Sequence, residues 1–269
     1  MPEPPQIACF RYAETPRPPR LEAGEIHLWL IPVEGLRNAL ERHERLLSPE
    51  ERGRASAFRF AEDAVRYVLS HGALRLLYGG YNGIRPECVR PAVSAYGKPF
   101  VRPGREDRPL YFNLSHSGDF ALCAFSRDRE VGVDIERVRA FNDLHSLAEF
   151  VLHPDEAAAL ASLPETKRLA GFFELWTKKE AFVKGLGKGL SYLPNSFSVP
   201  LGVSSGTVRC AATEGFWGFH AFQPATAYTA AVAFPLPRLA REAHLGTMRR
   251  RHTGDVATDL RPEKFETAR

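Results

Sequence analysis

The stretch Trp176-Thr177-Lys178-Lys179-Glu180-Ala181-Phe182-Val183-Lys184 decides how this chain is read, because it sets an acid within the apolar face of a helix. Advancing about 100° per residue from Leu169, the side chains of Phe172, Phe173, Trp176 and Val183 fall on one broad face, and Glu180 falls among them one turn beyond Trp176. A lone carboxylate on a core-facing stripe is costly unless it is paired or binds a cation. Lys184 stands one turn further on, so an i,i+4 ion pair with Glu180 is the plainest explanation of the helix taken alone.

A second acidic signal lies upstream, in Val131-Gly132-Val133-Asp134-Ile135-Glu136. The alternation predicts a strand, and successive side chains of a strand point to opposite faces, so Asp134 and Glu136 share one face. By itself this reads most simply as a half-solvated edge strand. Like charges two residues apart repel, however, and a hard cation relieves them. Carboxylate oxygens suit Mg²⁺, which keeps several waters and takes one or two protein carboxylates plus substrate phosphates. Glu180 on a helix with Asp134 and Glu136 on a strand describe an incomplete octahedral site with positions left open for phosphate.

Basic groups come from two further segments. Tyr96-Gly97-Lys98-Pro99-Phe100 reads as a turn that presents Lys98. In Phe112-Asn113-Leu114-Ser115-His116-Ser117-Gly118-Asp119 the pattern predicts a strand over Leu110 to Leu114, a polar loop, and a second strand over Phe120 to Phe125. Ser115 and His116 are expected at the mouth of that loop, where side chains reach ligands. Lys98 and His116 have no matching acids nearby in sequence and suit phosphate. An ordinary turn and loop capping would explain both segments equally well on their own.

In chain order, Gly97-Lys98-Pro99, Phe112-Asn113-Leu114-Ser115-His116-Ser117, Gly132-Val133-Asp134-Ile135-Glu136 and Trp176 to Lys184 resemble the surfactin-type (Sfp-like) 4′-phosphopantetheinyl transferases. The resemblance runs from about Ser48 to Val199, and Gly187-Lys188-Gly189-Leu190 and Asn195-Ser196-Phe197-Ser198-Val199 also look like the family. It implies an α+β fold of two pseudo-twofold-related halves, each with helices packed on a small antiparallel sheet, and coenzyme A bound between them. The implied activity is Mg²⁺-dependent transfer of the 4′-phosphopantetheine arm of coenzyme A to a serine of an apo acyl or peptidyl carrier protein, releasing adenosine 3′,5′-bisphosphate.

By the same resemblance, Asp134, Glu136 and Glu180 hold Mg²⁺ against the pyrophosphate, and Glu180 accepts the serine proton, directly or through water. Lys184 contacts the pyrophosphate, while Ser115 and His116 lie beside the 3′-phosphate. Lys98 and Lys188 belong to the coenzyme A contacts. The segments Ser48 to Arg54 and Glu62 to Arg66 resemble the family's 3′-phosphate-binding helices, which makes Arg54 and Arg66 adenosine-end ligands. Glu51 departs from the pattern, standing where relatives often carry a basic residue, and leaves more of that task to Arg54, Arg66 and His116.

Composition bounds the alternatives. A chain of 269 residues with 44% hydrophobic content can bury one large core or two smaller ones. No apolar run approaches the ~20 residues of a membrane helix, and Met1-Pro2-Glu3-Pro4-Pro5 lacks the basic-then-apolar pattern of a signal peptide. Cys9, Cys88, Cys123 and Cys210 show no paired spacing, so neither zinc nor a disulfide framework is expected. A cytoplasmic, reduced protein is the plain reading, and the family resemblance implies a monomer. A net charge of +4 without basic runs interleaved with aromatics argues against nucleic acid and tolerates an acidic protein partner.

The patterning predicts a strand over Ile26 to Val33, then helices over Leu36 to Leu47, Pro49 to Ala57 and Glu62 to Tyr78. Strands are expected between Val93 and Val138, three helical stretches between Leu144 and Lys184, and four short strands between Ser196 and Phe234. Two α/β halves, 1–127 and 128–236, therefore precede a charged tail, 237–269, that is poor in large apolar residues and expected to be poorly ordered. A Ser115–His116 hydrolase is excluded, because adjacent strand residues face apart and no Gly-x-Ser-x-Gly elbow exists. Gly187-Lys188 is no P-loop, because Gly189 stands where Ser or Thr is required. The remaining alternative is a non-catalytic carrier-protein-binding paralogue with the same fold, against which stands the presence of all three acids and Lys184.

Overall fold

The computed structural model of the chain describes residues 4–13, 16–102, 109–140, 144–237 and 266–267. Strands β1 (Gln6–Arg11) and β2 (Glu25–Pro32) lead into helices α1 (Leu40–Leu46), α2 (Pro49–Ser56) and α3 (Ala61–Asn82). A small hairpin, β3 (Pro91–Val93) with β4 (Pro99–Val101), precedes the longer hairpin β5 (Tyr111–Ser117) and β6 (Phe120–Ser126). Strand β7 (Gly132–Arg137) opens the second half, followed by α4 (Leu144–Val151), α5 (Pro154–Ala161) and α6 (Glu165–Leu186). Strands β8 (Ser205–Cys210), β9 (Gly215–Phe222) and β10 (Tyr228–Pro235) complete it, and β11 (Glu266–Thr267) pairs alongside β1.

The strands form a first sheet ordered β11-β1-β2-β6-β5 and a second ordered β7-β10-β9-β8. The architecture is α+β, as expected, with two corrections. The first sheet is not wholly antiparallel: β1, absent from the sequence reading, runs parallel to β2. Three strands rather than four lie between Ser196 and Phe234. The tail beyond residue 237 lies outside the described residues apart from Glu266–Thr267. Among the described residues no helix is long and apolar enough to cross a membrane.

Alternation along β2 and β6 explains how the two sheets meet. Trp29, Ile31, Cys123 and Phe125 point to the face packed by α3 with Leu69, Ala73 and Leu77. Ile26, Leu28, Leu30, Leu122 and Ala124 point the other way and pack on Val133 and Ile135 of β7 and Ala230, Val232 and Phe234 of β10. The first sheet is thus buried on both faces. Helix α6 covers the far side of the second sheet, where Phe172, Leu175, Ala181 and Phe182 pack with Trp217, Phe219, Ala231 and Ala233. The one-sided apolar stripe expected of α6 is replaced by burial on several sides, since Thr177, Lys178 and Lys179 are fully buried too.

Two glycines set the distance between α6 and β7. A Cβ at Gly132 would stand 2.0 Å from the Ala181 carbonyl oxygen and 2.1 Å from the Gly185 backbone nitrogen. Backbone meets backbone here, so no rotamer change can make room. Gly132→Ala is expected to destabilise the fold by about 1–3 kcal/mol, the usual range for overpacking, and to push α6 off the strand. Thermal unfolding checks the first effect, and a loss of turnover disproportionate to the fraction unfolded checks the second.

Candidate active site

Strands β5 and β7 are the facing edges of the two sheets, and side chains rather than a backbone ladder join them. Alternate residues of β5 face β7. The Asn113 Oδ1 accepts from the Val133 backbone N–H at 2.9 Å, and the Ser115 hydroxyl donates to Asp134 Oδ1 at 2.7 Å. The Ser117 hydroxyl donates to Glu136 Oε2 at 2.7 Å and accepts from the Arg137 N–H at 3.1 Å. An edge strand left unpaired exposes a row of backbone donors and acceptors. Here polar side chains take up two of those donors. Ser115 and His116 are accordingly strand residues of β5, not residues of a loop mouth; the loop is only Gly118-Asp119.

Helix α6 adds the third element. Lys184 Nζ lies 2.5 Å from Asp134 Oδ1 and donates to the Ser115 Oγ at 2.9 Å. The ion pair expected between Glu180 and Lys184 is therefore replaced by one between Lys184 and Asp134. Burial works against the Lys184 ammonium, but Asp134, Glu180 and Glu136 outweigh it and raise its pKa above the ordinary value. Lys184 stays charged at neutral pH.

The acids have the opposite problem. Burial pushes the Glu180 carboxyl above its ordinary range; Asp134 adds to the rise, Lys184 opposes it, and Glu136 adds again. Burial and then Asp134 also raise Glu136, against the pull of Ser117, Lys184 and the Trp176 side chain. Asp134 is 1% exposed, and its Oδ2 is buried without a hydrogen-bond partner. Among the described residues no three His, Cys, Asp or Glu side chains gather closely enough to enclose a metal ion by themselves. The donor set nonetheless suits a hard cation that keeps waters and ligand oxygens: an orphaned carboxylate oxygen sits within a field of mutually repelling acids.

Beside this cluster opens a cleft of about 200 Å³ lined by Tyr96, Gly97, Lys98, Asn113, Glu180, Val183, Lys184, Gly187 and Gly189. Gly187 ends α6 in the left-handed conformation (φ 68°), and a Cβ there would meet the Lys98 side chain at 2.9 Å. Lys98 is not free of acids, as its sequence neighbours suggested. Its Nζ pairs with Glu130 and donates to the Gly185 carbonyl at 2.8 Å, tying the turn of the first half to the end of α6. Lys188 lies half-buried between the two cleft glycines.

A second basic group lies at the far end of β5. The Arg66 Nε donates to the Gly118 carbonyl at 2.7 Å and its Nη1 to Asp63 at 2.6 Å, which holds the guanidinium at the β5–β6 turn. Desolvation by the surrounding chain, then the charges of Arg66 and Lys184, push the His116 imidazole below its ordinary value. The side chain is exposed to solvent, so the field of the two cations is the sturdier cause.

Arg54 is exposed on α2 near Tyr67, whose ring stacks on His71 at 3.8 Å. Burial pushes His71 down to about 4, so it is neutral at pH 7. Its position beside Arg54 and His116 carries no signal in the sequence. Glu51 is explained by structure: it closes the capping box on Ser48 and pairs at 2.6 Å with Arg75, which is 1% exposed.

Sequence reasoning also missed the groups that hold α6 in place. Lys179 Nζ lies 2.8 Å from Glu156 Oε2 and donates to the carbonyls of Pro194 at 2.8 Å and Phe197 at 2.6 Å, which uses all three ammonium donors. Lys178 Nζ meets Glu174 at 2.5 Å and the Pro200 carbonyl at 2.8 Å. These bonds fasten the segment after Gly189 against α6. A lysine that looks solvated on a helical wheel is here a core residue.

The acids Asp134, Glu136 and Glu180 and the base Lys184 thus converge where the two sheets meet. Residues 35–128 match the family described as 4′-phosphopantetheinyl transferase, N-terminal, and residues 130–233 match the 4′-phosphopantetheinyl transferase superfamily. The 4′-phosphopantetheinyl transferase HetI of Nostoc sp. is 39% identical over 180 residues, 66% of this chain and 76% of that protein. The 4′-phosphopantetheinyl transferase psf-1 of Bacillus pumilus is 36% identical, covering 65% of this chain and 73% of its own. For the 4′-phosphopantetheinyl transferase Sfp of Bacillus subtilis the figures are 33%, 60% and 69%. The chain belongs to the 4′-phosphopantetheinyl transferase superfamily, whose members transfer phosphopantetheine to carrier proteins.

Proposed function

We propose that the protein transfers 4′-phosphopantetheine from coenzyme A to a serine hydroxyl of an apo acyl or peptidyl carrier protein in a Mg²⁺-dependent reaction that releases adenosine 3′,5′-bisphosphate. The observation that carries this reading is the convergence of Asp134, Glu136, Glu180 and Lys184 beside an open cleft. Asp134, Glu136 and Glu180 would hold the ion, which when bound neutralises charge on the diphosphate. Glu180, its pKa raised by burial, accepts the serine proton as the serine oxygen bonds to the pantetheine-side phosphorus. The P–O bond to the adenosine-side phosphate breaks, and its electron pair leaves with adenosine 3′,5′-bisphosphate. Lys184, charged and anchored on Asp134, faces the diphosphate. Lys98 and Lys188 flank the donor, and Ser115 orients Lys184.

Arg54, Arg66 and His116 receive the 3′-phosphate in this reading. We place the enzyme in the cytoplasm as a monomer with two functional halves, 1–127 and 128–236. The test is transfer to a panel of apo carriers, followed by mass spectrometry with and without excess chelator. Activity is expected with Mg²⁺ or Mn²⁺, both oxygen-preferring, and lost on chelation; full transfer in chelator would sink the metal reading.

Discrimination at the adenosine end follows from the same basic group. Coenzyme A is expected to outperform 3′-dephospho-coenzyme A, and His116→Ala or Arg66→Ala to narrow the gap by about 1.5–3 kcal/mol, the range for a hydrogen bond to a charged group. Rates with both donors for wild type and variants decide it, and equal use of the two by the wild type removes the assignment.

A further inference from the structure

The turn between β5 and β6 is gripped from two sides. Gly118 and Asp119 share one peptide group, whose C=O and N–H point in opposite directions because the unit is planar and trans. On one side the Gly118 carbonyl accepts from Arg66 Nε of α3 at 2.7 Å. On the other the Asp119 N–H donates to the hydroxyl of Tyr228, the first residue of β10, at 2.9 Å. That hydroxyl in turn donates to Asp119 Oδ2 at 3.2 Å, which fixes its hydrogen and turns a lone pair toward the N–H.

Tyr228 is 4% exposed, and its ring packs edge-on against Phe120 with centroids 5.0 Å apart, so the hydroxyl has little freedom to move. The approach is close: Gly118 adopts φ 55°, and a Cβ there would stand 2.3 Å from the Tyr228 hydroxyl oxygen. Arg66 meanwhile uses a second donor on Asp63, which pins the guanidinium at both Nε and Nη1. One rigid peptide therefore joins a residue of the second half to a cation of the first. The Arg137–Asp119 ion pair spans the same gap, but at 3.7 Å and with both side chains exposed it holds the turn weakly.

We propose that Tyr228 is a positioning residue: through the Gly118–Asp119 peptide it sets the direction in which Arg66 presents its remaining donors, and so sharpens selection for the 3′-phosphate of coenzyme A. The inference rests on the reading of Arg66 as a 3′-phosphate contact. A loss of aim costs most for a planar group that meets phosphate through two N–H bonds at once. Tyr228 acts without touching the substrate itself.

Tyr228→Phe tests it, since phenylalanine keeps the ring against Phe120 and deletes only the hydroxyl. kcat/KM is measured with coenzyme A and with 3′-dephospho-coenzyme A in wild type, Tyr228→Phe, Arg66→Ala and the double variant. The ratio between the two donors, taken on one preparation, cancels any difference in the fraction folded. Tyr228→Phe is expected to lower kcat/KM for coenzyme A by about fivefold, the scale of one hydrogen bond, and to leave the value for the dephospho form nearly unchanged. Because Tyr228 acts through Arg66, adding Tyr228→Phe to Arg66→Ala is expected to shift the ratio no further.

An equal fall with both donors, or no fall with either, would overturn the proposal and leave Tyr228 as a clamp between the halves. A selective fall that persists in the Arg66→Ala background would overturn it as well, since the route through Arg66 is then wrong. Equal use of the two donors by the wild type would remove the reading of Arg66 beneath it, a failure visible before any variant is made and distinct from a failure of Tyr228.

Discussion

Glu180→Gln is expected to lower kcat by on the order of a hundredfold, about 2.7 kcal/mol of barrier, while leaving the fold intact. Glutamine keeps the shape and removes the charge. It therefore deletes proton acceptance and part of the electrostatic stabilisation together. Only the unprotonated carboxylate accepts the proton, so the wild type is expected to lose rate as pH falls and Glu180 is protonated. The slow residual rate of Glu180→Gln lacks this limb, so a pH profile of both proteins reports the group directly. If Glu180→Gln transfers at the wild-type rate with the same profile, Glu180 serves only to balance the charge of Lys184.

Lys179→Met is expected to produce the largest loss of stability, about 3–5 kcal/mol, the range for breaking a buried ion pair by removing one partner. Glu156 would remain buried without its counter-charge, held only by the backbone N–H groups of His153 at 2.8 Å and Val199 at 2.7 Å. The carbonyls of Pro194 and Phe197 would lose their donor as well. Adding Glu156→Leu should recover part of the loss, because it removes the stranded charge. Denaturant unfolding of the single and double variants measures both. A double variant no better than Lys179→Met would show that the carbonyl bonds, not the ion pair, carry the stability.

The acids of the site were legible because chemistry forced unusual residues into regular patterns. Glu180 interrupts an apolar stripe at helical spacing, and Asp134 and Glu136 alternate with Val133 and Ile135 at strand spacing. Partner choice was not legible. Helical spacing puts Lys184 within reach of Glu180, but β7 brings Asp134 within 2.5 Å, and an interaction across 50 residues outcompetes one across four. β1 was hidden because Gln6 to Arg11 follows prolines and becomes a strand by pairing with β2.

The end of β5 was misread for a different reason. Asparagine and serine favour turns over strands, and Asn113, Ser115 and Ser117 are polar here because they face the edge of β7, while His116 between them is exposed to solvent. Lys178 and Lys179 escaped notice because their partners are backbone carbonyls in a segment that no local pattern predicts to lie against α6.

The seam of side chains between β5 and β7 also sets the order of events in folding. Ser115 reaches Asp134 across 19 residues, and Lys184 reaches Asp134 across 50 and Ser115 across 69. Contacts that close long loops form after local helices and hairpins have lowered the entropy of closure. The β5–β6 hairpin and α6 can each form early, yet neither contains a complete charge cluster. The charge cluster is therefore complete only once the two sheets have docked, late in folding, so an intermediate with only one half folded lacks the cluster proposed to act on the donor.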